Sequence, residues 1–567
     1  MNSKTVLYLF SCLLGVVLTA GEIPEINLSN YIRSRYKAGE RDIVLPDGKI
    51  KCRTVTIGKD YKDLTIRGGK NTVLISTRLT PVFYLNGCKN VTLRDFALDY
   101  DPLAFTQGSI TRLDRENKRI YYRLHDGYPR LSKPYLVRHP LFFDPKTRKL
   151  IYGEKGMIVT KNVQLSPDDG YLQLKTDIYT VKVGDMLVLN FRNDCALKVR
   201  GMAENLQFIN ITMYSGPGGI IARRVKGQHI VRNCRAIRGE RPAGAAEERL
   251  FSLSADAVNY ATGRKGPIIE GNEFEFIGDD SVNLHGRLFK VVKAEPEKGA
   301  FIMATGGKGI EIYNELIFPG DRVRMLAKNN FAIVNEAKVK KLELFTGEIE
   351  GINLKMLYPA NPPKTYSAMR VYVDGNYLPE PGMTVDFPAI NMPNFIIRNN
   401  YFHDHRARGM RIMAASGIIE NNRIERLEHQ AISAGASYGF WTEAGWVENI
   451  VIRNNVIDSV CIGSSAYRKV AYSPGAICTF VHNEFGHFPY FPGNKGVVVE
   501  NNRINNCAIA GIHAMASDGM IIRNNVISNV DWGDTSVYGE LFGIKYVKGA
   551  IGTAYSKNAV VENNVVK

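Results

Sequence analysis

Beyond its first twenty residues this chain has no stretch of the roughly 20 consecutive apolar residues that a membrane-spanning helix needs, so none is expected in the mature protein. Cysteine is scarce and unpatterned, with 8 in 567 residues. Cys52, Cys88, Cys195, Cys234, Cys461, Cys478 and Cys507 show neither paired metal-type spacing nor the density of a disulfide framework, and read as buried thiols. With no His or Cys at ligand spacing, neither a metal nor another cofactor is expected. Helical spacing of the apolar residues is missing as well. Acidic residues are outnumbered, giving a net charge of +17, but Lys and Arg are spread along the chain and not clustered. That argues against a nucleic-acid partner, while the charge suits attraction to anionic glycans.

What is present is turn-rich β sequence. Residues 1 to 20 carry Lys4, an apolar run from Val6 to Leu18 and then small residues, the layout of an export signal. The expected location is the periplasm or cell surface. Cys12, after Leu9, Phe10 and Ser11, faintly resembles a lipoprotein cleavage site, a pattern that Phe10 fits poorly. Short β-branched runs follow at Val55 to Ile57, Leu64 to Ile66, Val73 to Ile75 and Val91 to Leu93, separated by Gly, Asn and Lys.

The second half repeats. Asn pairs follow short apolar runs at Asn399 and Asn400, Asn421 and Asn422, Asn454 and Asn455, Asn501 and Asn502, Asn524 and Asn525, and Asn563 and Asn564. None is followed by the Ser or Thr of a glycosylation site. Each unit reads as strand, Asn turn, strand. Such repetition predicts stacked coils, with Asn at the turns because it tolerates left-handed backbone and can bond to the next coil. The predicted fold is all-β: a right-handed parallel β-helix formed by residues 21-101, 196-287 and 389-567. Residues 102-195 and 288-388 lack the Asn units and read as two related inserted modules, each a small β-barrel or sandwich.

The stretch Phe276 to Arg287 holds adjacent carboxylates, Asp279 and Asp280, in an otherwise apolar run, which is costly unless they are used. Asp256-Ala257-Val258-Asn259 recurs 24 residues later as Asp280-Ser281-Val282-Asn283. One coil of that length would stack Asp256 on Asp280 at the strand spacing of about 4.8 Å. For Asp279 to join them the chain must bend near Gly278. Counting from the Asn turns extends the column to Arg408 and Gln430, with Arg411 nearby. His285 and His403 are weaker candidates. Trp441, Trp446 and Tyr438, in the loop after Gln430, are candidates to stack on a sugar or to pack that loop.

Three carboxylates beside an arginine suit several chemistries. Inverting glycoside hydrolysis needs one protonated and one ionised carboxyl, generally about 6.5 to 9.5 Å apart, and crowding raises one pKa to supply the proton. A polysaccharide lyase would hold Ca2+ with the carboxylates against a uronate and use Arg408 as base. In a glycan-binding or adhesive β-helix the Asp residues would only form turns.

The pairing of Ser254-Ala255-Asp256-Ala257-Val258-Asn259 with Gly278-Asp279-Asp280-Ser281-Val282-Asn283, on a β-helix with two inserted β modules behind an export signal, resembles glycoside hydrolase family 110. This resemblance spans nearly the whole mature chain. It implies an exo-acting, inverting, metal-independent bacterial α-1,3-galactosidase acting on a glycan substrate, blood group B-type chains and linear α-galactosyl chains included, with a homodimer left open. It gives Asp279 the general-acid role and has Asp256 and Asp280 hold and deprotonate water. The Asp, Asp-Asp and His-Gly order also resembles the polygalacturonases of family 28. Here, however, Ser254-Ala255-Asp256 replaces Asn-Thr-Asp and Arg411-Ile412-Met413 replaces Arg-Ile-Lys, and the loss of that Lys argues against a galacturonate carboxylate as the ligand.

Overall fold

In the computed structural model of the protein, residues 23–136, 139–152, 159–175, 177–178, 180–439, 441–463, 474–481, 491–533 and 549–567 are described. The leader with Cys12 lies outside them. The β-branched runs form short parallel strands stacked into a β-helix with two long sheets, one of 22 strands and one of 12. Its interior is built by repetition of position. Ile269, Ile397, Ile419, Ile452, Val499 and Ile522 pair in succession, each wholly buried, so one apolar column runs through the coils.

The Asn pairs divide two tasks. The first member takes the left-handed conformation, with φ of 56° at Asn399, 55° at Asn421 and 57° at Asn454, where most side chains are disfavoured. The second points inward and bonds to its counterpart on the next coil. Asn272, Asn400, Asn422 and Asn455 form a ladder of amide bonds 2.8 to 2.9 Å long, which continues through Asn502 and Asn525 to Asn564. Buried polar groups at every turn are thereby paired.

One helix, Leu28–Lys37, was not expected from the strand pattern. Asn27 caps it, accepting from the Asn30 N–H at 3.0 Å, and Leu28 and Ile32 are its buried residues, packed into the core of the first coils.

The two inserted modules share one strand order. The second is a closed barrel of six strands, Phe289–Glu295, Ala300–Gly306, Arg322–Leu326, Ile333–Phe345, Tyr366–Val373 and Thr384–Asp386. The first pairs its strands, Phe105–Asp114, Arg119–Leu124, Leu141–Phe143, Val159–Gln164, Asp169–Leu174 and Met186–Asn190, in the same pattern. It forms an open sheet, because among the described residues Leu141–Phe143 does not pair with Val159–Gln164. The barrel leaves the helix immediately after Gly286, where an added Cβ would meet Asn391 Oδ1 at 1.6 Å. It is clamped to the coils by Arg324. That guanidinium is fully buried, donates to both Asp386 oxygens at 2.8 and 2.5 Å, and reaches the Trp446 carbonyl at 3.0 Å.

Candidate active site

Strand register decides which side chains meet. Val258 pairs with Val282, Val282 with Met410, and Met410 with Ile432. Two residues before each stand Asp256, Asp280, Arg408 and Gln430, which therefore occupy one position on four successive coils. Backbone bonds hold that position: Ala257 N to Asp280 O at 3.1 Å, Ser281 N to Arg408 O at 3.0 Å and Gly409 N to Gln430 O at 3.2 Å.

The bend that Asp279 requires is present. Residues 276 to 281 form a coil corner between Glu273–Glu275 and Val282–Arg287, entered through Phe276 at φ 48°. Gly278 turns the corner in close contact with the coil below, where a Cβ would lie 2.4 Å from the Ser254 carbonyl. Asp256, Asp279 and Asp280 each bring a carboxylate oxygen within 4.8 Å of the others, closer than the general spacing of an inverting pair. All three line a cavity of about 460 Å³.

The surroundings split their proton affinities. Burial raises Asp256 well above the usual carboxylate range, and the charges of Asp279 and Asp280 add to this. Its oxygens accept from Asn259 Nδ2 at 2.6 Å and from the Asp280 N–H at 3.2 Å. Asp280 is raised by burial too, with Arg408 opposing; Oδ1 accepts from the Arg408 N–H at 3.0 Å and from its guanidinium at 3.4 Å. Burial would raise Asp279 as well, but Arg192, followed by Arg406, outweighs it and holds this carboxyl far below its ordinary value. Arg192 is ion-paired to Asp279, and both Arg192 and Arg406 donate to the Gly278 carbonyl, at 2.9 and 3.0 Å. These surroundings favour the proton on Asp256 and Asp280 over Asp279, which they favour as the anion. Three carboxylates this close have the donor set for a cation, yet three arginines already face them with compensating charge.

Several lining residues are absent from the sequence-based candidates. Arg192 and His139 come from the first inserted module, Tyr358 from the barrel, and Glu443 from the loop after Gln430. Nothing in their local sequence marks them, because each reaches the site from an insertion or a remote loop. Arg223, Asn259 and Asn283 also line the cavity; the two asparagines lie in the repeated motif itself and could have been read from it.

No protein-family model matches the sequence. Curated relatives match along most of it. Alpha-1,3-galactosidase B of Phocaeicola vulgatus is 22% identical over 542 residues, covering 88% of this chain and 87% of its own. Alpha-1,3-galactosidase A of Bacteroides fragilis is 22% identical over 532 residues, covering 90% and 79%. The chain is thus similar along most of its length to bacterial α-1,3-galactosidases. Among solved structures, an exopolygalacturonase from Thermotoga maritima is 12% identical with a TM-score of 0.38, covering 96% of this chain and 93% of its own.

The structure places the remaining candidates around the three carboxylates as follows. Arg408 and Arg411 line the cavity, with Arg411 Nε 3.9 Å from Glu443. Gln430 continues the column but is wholly buried, its amide directed at Cys478 Sγ 3.9 Å away, and is not among the residues that line the cavity. His285 lies behind Glu443, 3.6 Å from its carboxylate, and lines an adjoining cavity instead. Burial, reinforced by Arg223, keeps its imidazole neutral. His403 sits on the other sheet against Asp404 at 2.7 Å. Of the aromatic trio only Trp441, about half exposed, lines the cavity. Trp446 and Tyr438 are buried packing residues: Trp446 donates to the Phe331 carbonyl at 3.0 Å and Tyr438 stacks on Phe331.

Proposed function

We propose that this protein is an exo-acting glycoside hydrolase that releases terminal α-1,3-linked galactose from blood group B-type and linear α-galactosyl glycans, with inversion. The carrying observation is the stacked cluster of Asp256, Asp279 and Asp280 in a chain similar along most of its length to α-1,3-galactosidases. The cluster works as a unit that retains a proton near neutral pH because three carboxylates this close cannot all ionise cheaply. Asp256 and Asp280, stacked and both raised by burial, suit holding and deprotonating a water. Asp279, the member at the corner, suits protonating the leaving oxygen. Since Arg192 and Arg406 favour its anion, that role requires the sugar to separate Asp279 from Arg192 and the cluster's proton to pass to it. Arg408 suits substrate binding at the rung above. The leader-like segment supports export, which would bring the enzyme to such glycans in the periplasm or at the cell surface.

The test is incubation with a blood group B trisaccharide followed by NMR of the first galactose formed. β-Galactose appearing first supports hydrolysis with inversion, and α-galactose first means retention. No galactose, with an unsaturated uronate formed instead from an acidic glycan and lost on adding EDTA, would replace this reading with a lyase.

A further inference from the structure

A second cavity, of about 260 Å³, continues the carboxylate cavity and shares Arg223, Tyr358, Trp441 and Glu443 with it. It lies along the same strands. Ala261 and His285, which pair with each other, stand five residues beyond Asp256 and Asp280, about 16 Å at the rise of an extended strand. The proposed reaction makes no use of what lines it.

Five cations face this space, Arg200, Arg223, Arg224, Arg287 and Lys308, with Glu443 the single carboxylate in the lining. Among the described residues none of the five is in an ion pair. Arg200 donates to the carbonyls of Val199 and Ile221 at 2.8 and 3.0 Å, Arg223 to Asn259 Oδ1 at 2.6 Å and Arg287 to Thr305 Oγ1 at 3.2 Å. The buried Nε of Arg224 has no partner. Burial and then Arg200 pull Arg223 down to about 10, with Glu443 and Asp256 opposing. Of the five only Arg223 also lines the carboxylate cavity, where Asp279 and Asp280 have Arg192, Arg406 and Arg408 beside them. Crowding like charges in a partly desolvated space is unfavourable unless a ligand supplies the opposite charge, and guanidinium forks match tetrahedral and planar oxyanions.

We infer that this cavity is an anion subsite, accepting a sulfate ester or a carboxylate on a sugar beyond the one released, so that the preferred substrate is an acidic α-galactosyl glycan. The inference rests on the galactosidase reading for the identity of the released sugar only.

It is tested by titration calorimetry of the full-length protein with three matched α-1,3-galactosyl oligosaccharides: neutral, sulfated on the reducing-side sugar, and bearing a uronate there. The sulfated or the uronate ligand should bind at least tenfold more tightly than the neutral one, the tighter arm naming the anion. That preference should fall towards one in Lys308→Ala, an exposed position flanked by open glycines, and in Arg287→Gln. Equal binding of all three ligands by the wild type, or a preference that survives in both variants, overturns the subsite. Anion preference without galactose release from any ligand would keep the subsite and overturn the galactosidase reading instead.

Discussion

The backbone N–H of Asp280 donates to the carboxylate of Asp256 at 3.2 Å, so one coil's acid is oriented by the main chain of the next. The same relation recurs one coil further on, where the Arg408 N–H donates to Asp280 at 3.0 Å. Coil stacking itself fixes the carboxylates, and their positions do not depend on flexible side chains finding one another.

Replacing the carboxylates should separate their roles. Asp279→Asn and Asp256→Asn should each lower kcat/KM on an α-1,3-galactosyl trisaccharide by about a thousandfold or more, the upper range of lost acid–base catalysis. An aryl α-galactoside with an acidic phenol needs no proton donor, so Asp279→Asn should recover much of its turnover on it while Asp256→Asn should not. The opposite pattern would make Asp256 the acid.

Arg192 sets the acidity of the cluster. Arg192→Gln removes a cation paired with Asp279, which raises the proton affinity of the coupled carboxylates. Activity that depends on a retained proton should then persist to higher pH, and the alkaline limb of the kcat/KM profile should move up. A limb that stays in place or moves down would mean that the proton lost there belongs to another group.

Asp256 also predicts a stability trend. Its folded-state pKa is raised by burial, so between the unfolded value, about 4, and the folded value the unfolded chain binds fewer protons and the native state loses stability as pH rises. The melting temperature of Asp256→Asn relative to wild type should therefore be higher at pH 7 than at pH 4. Thermal unfolding at the two pH values gives the comparison; a pH-independent difference would show that Asp256 is ionised in the folded protein.

Arg408→Ala keeps the main-chain bond to Asp280 but removes the guanidinium from the cavity. KM should rise about tenfold, the scale of one lost charge-assisted contact, with a smaller change in kcat. Unchanged steady-state kinetics would remove Arg408 from substrate contact.

Asp386→Ala takes from the fully buried Arg324 its bidentate partner and leaves it Glu448, 3.2 Å away. Loss of one partner of a buried pair costs about 3 to 5 kcal/mol, which denaturant unfolding should register. The barrel's hold on the coils through Arg324 should weaken with it. Stability within 1 kcal/mol of wild type, about the scale of an exposed pair, would show that the clamp contributes little.

The sequence by itself determined the coil and the column, and stated the corner at Gly278 only as a requirement that the structure then met. Asn pairs at nearly regular intervals carry both the left-handed turn and the inward ladder, and a copied Asp-x-Val-Asn motif sets Asp256 under Asp280. Counting from the same asparagines reaches Arg408 and Gln430. All of these are local or periodic properties, and in a stacked repeat period alone fixes which residues are neighbours. The tertiary structure decided what the insertions bring. Arg192, Tyr358 and Glu443 reach the carboxylates from segments whose docking depends on module packing and on contacts such as those of Arg324 with the Trp446 carbonyl and Glu448, which no period encodes. Folding likewise buried Gln430 and placed His285 on the adjoining basic cavity. The charge of each Asp was decided there too, because a carboxyl's proton affinity depends on the cations and solvent that the folded chain sets around it, and Asp279 and Asp280, adjacent in sequence, are pushed in opposite directions.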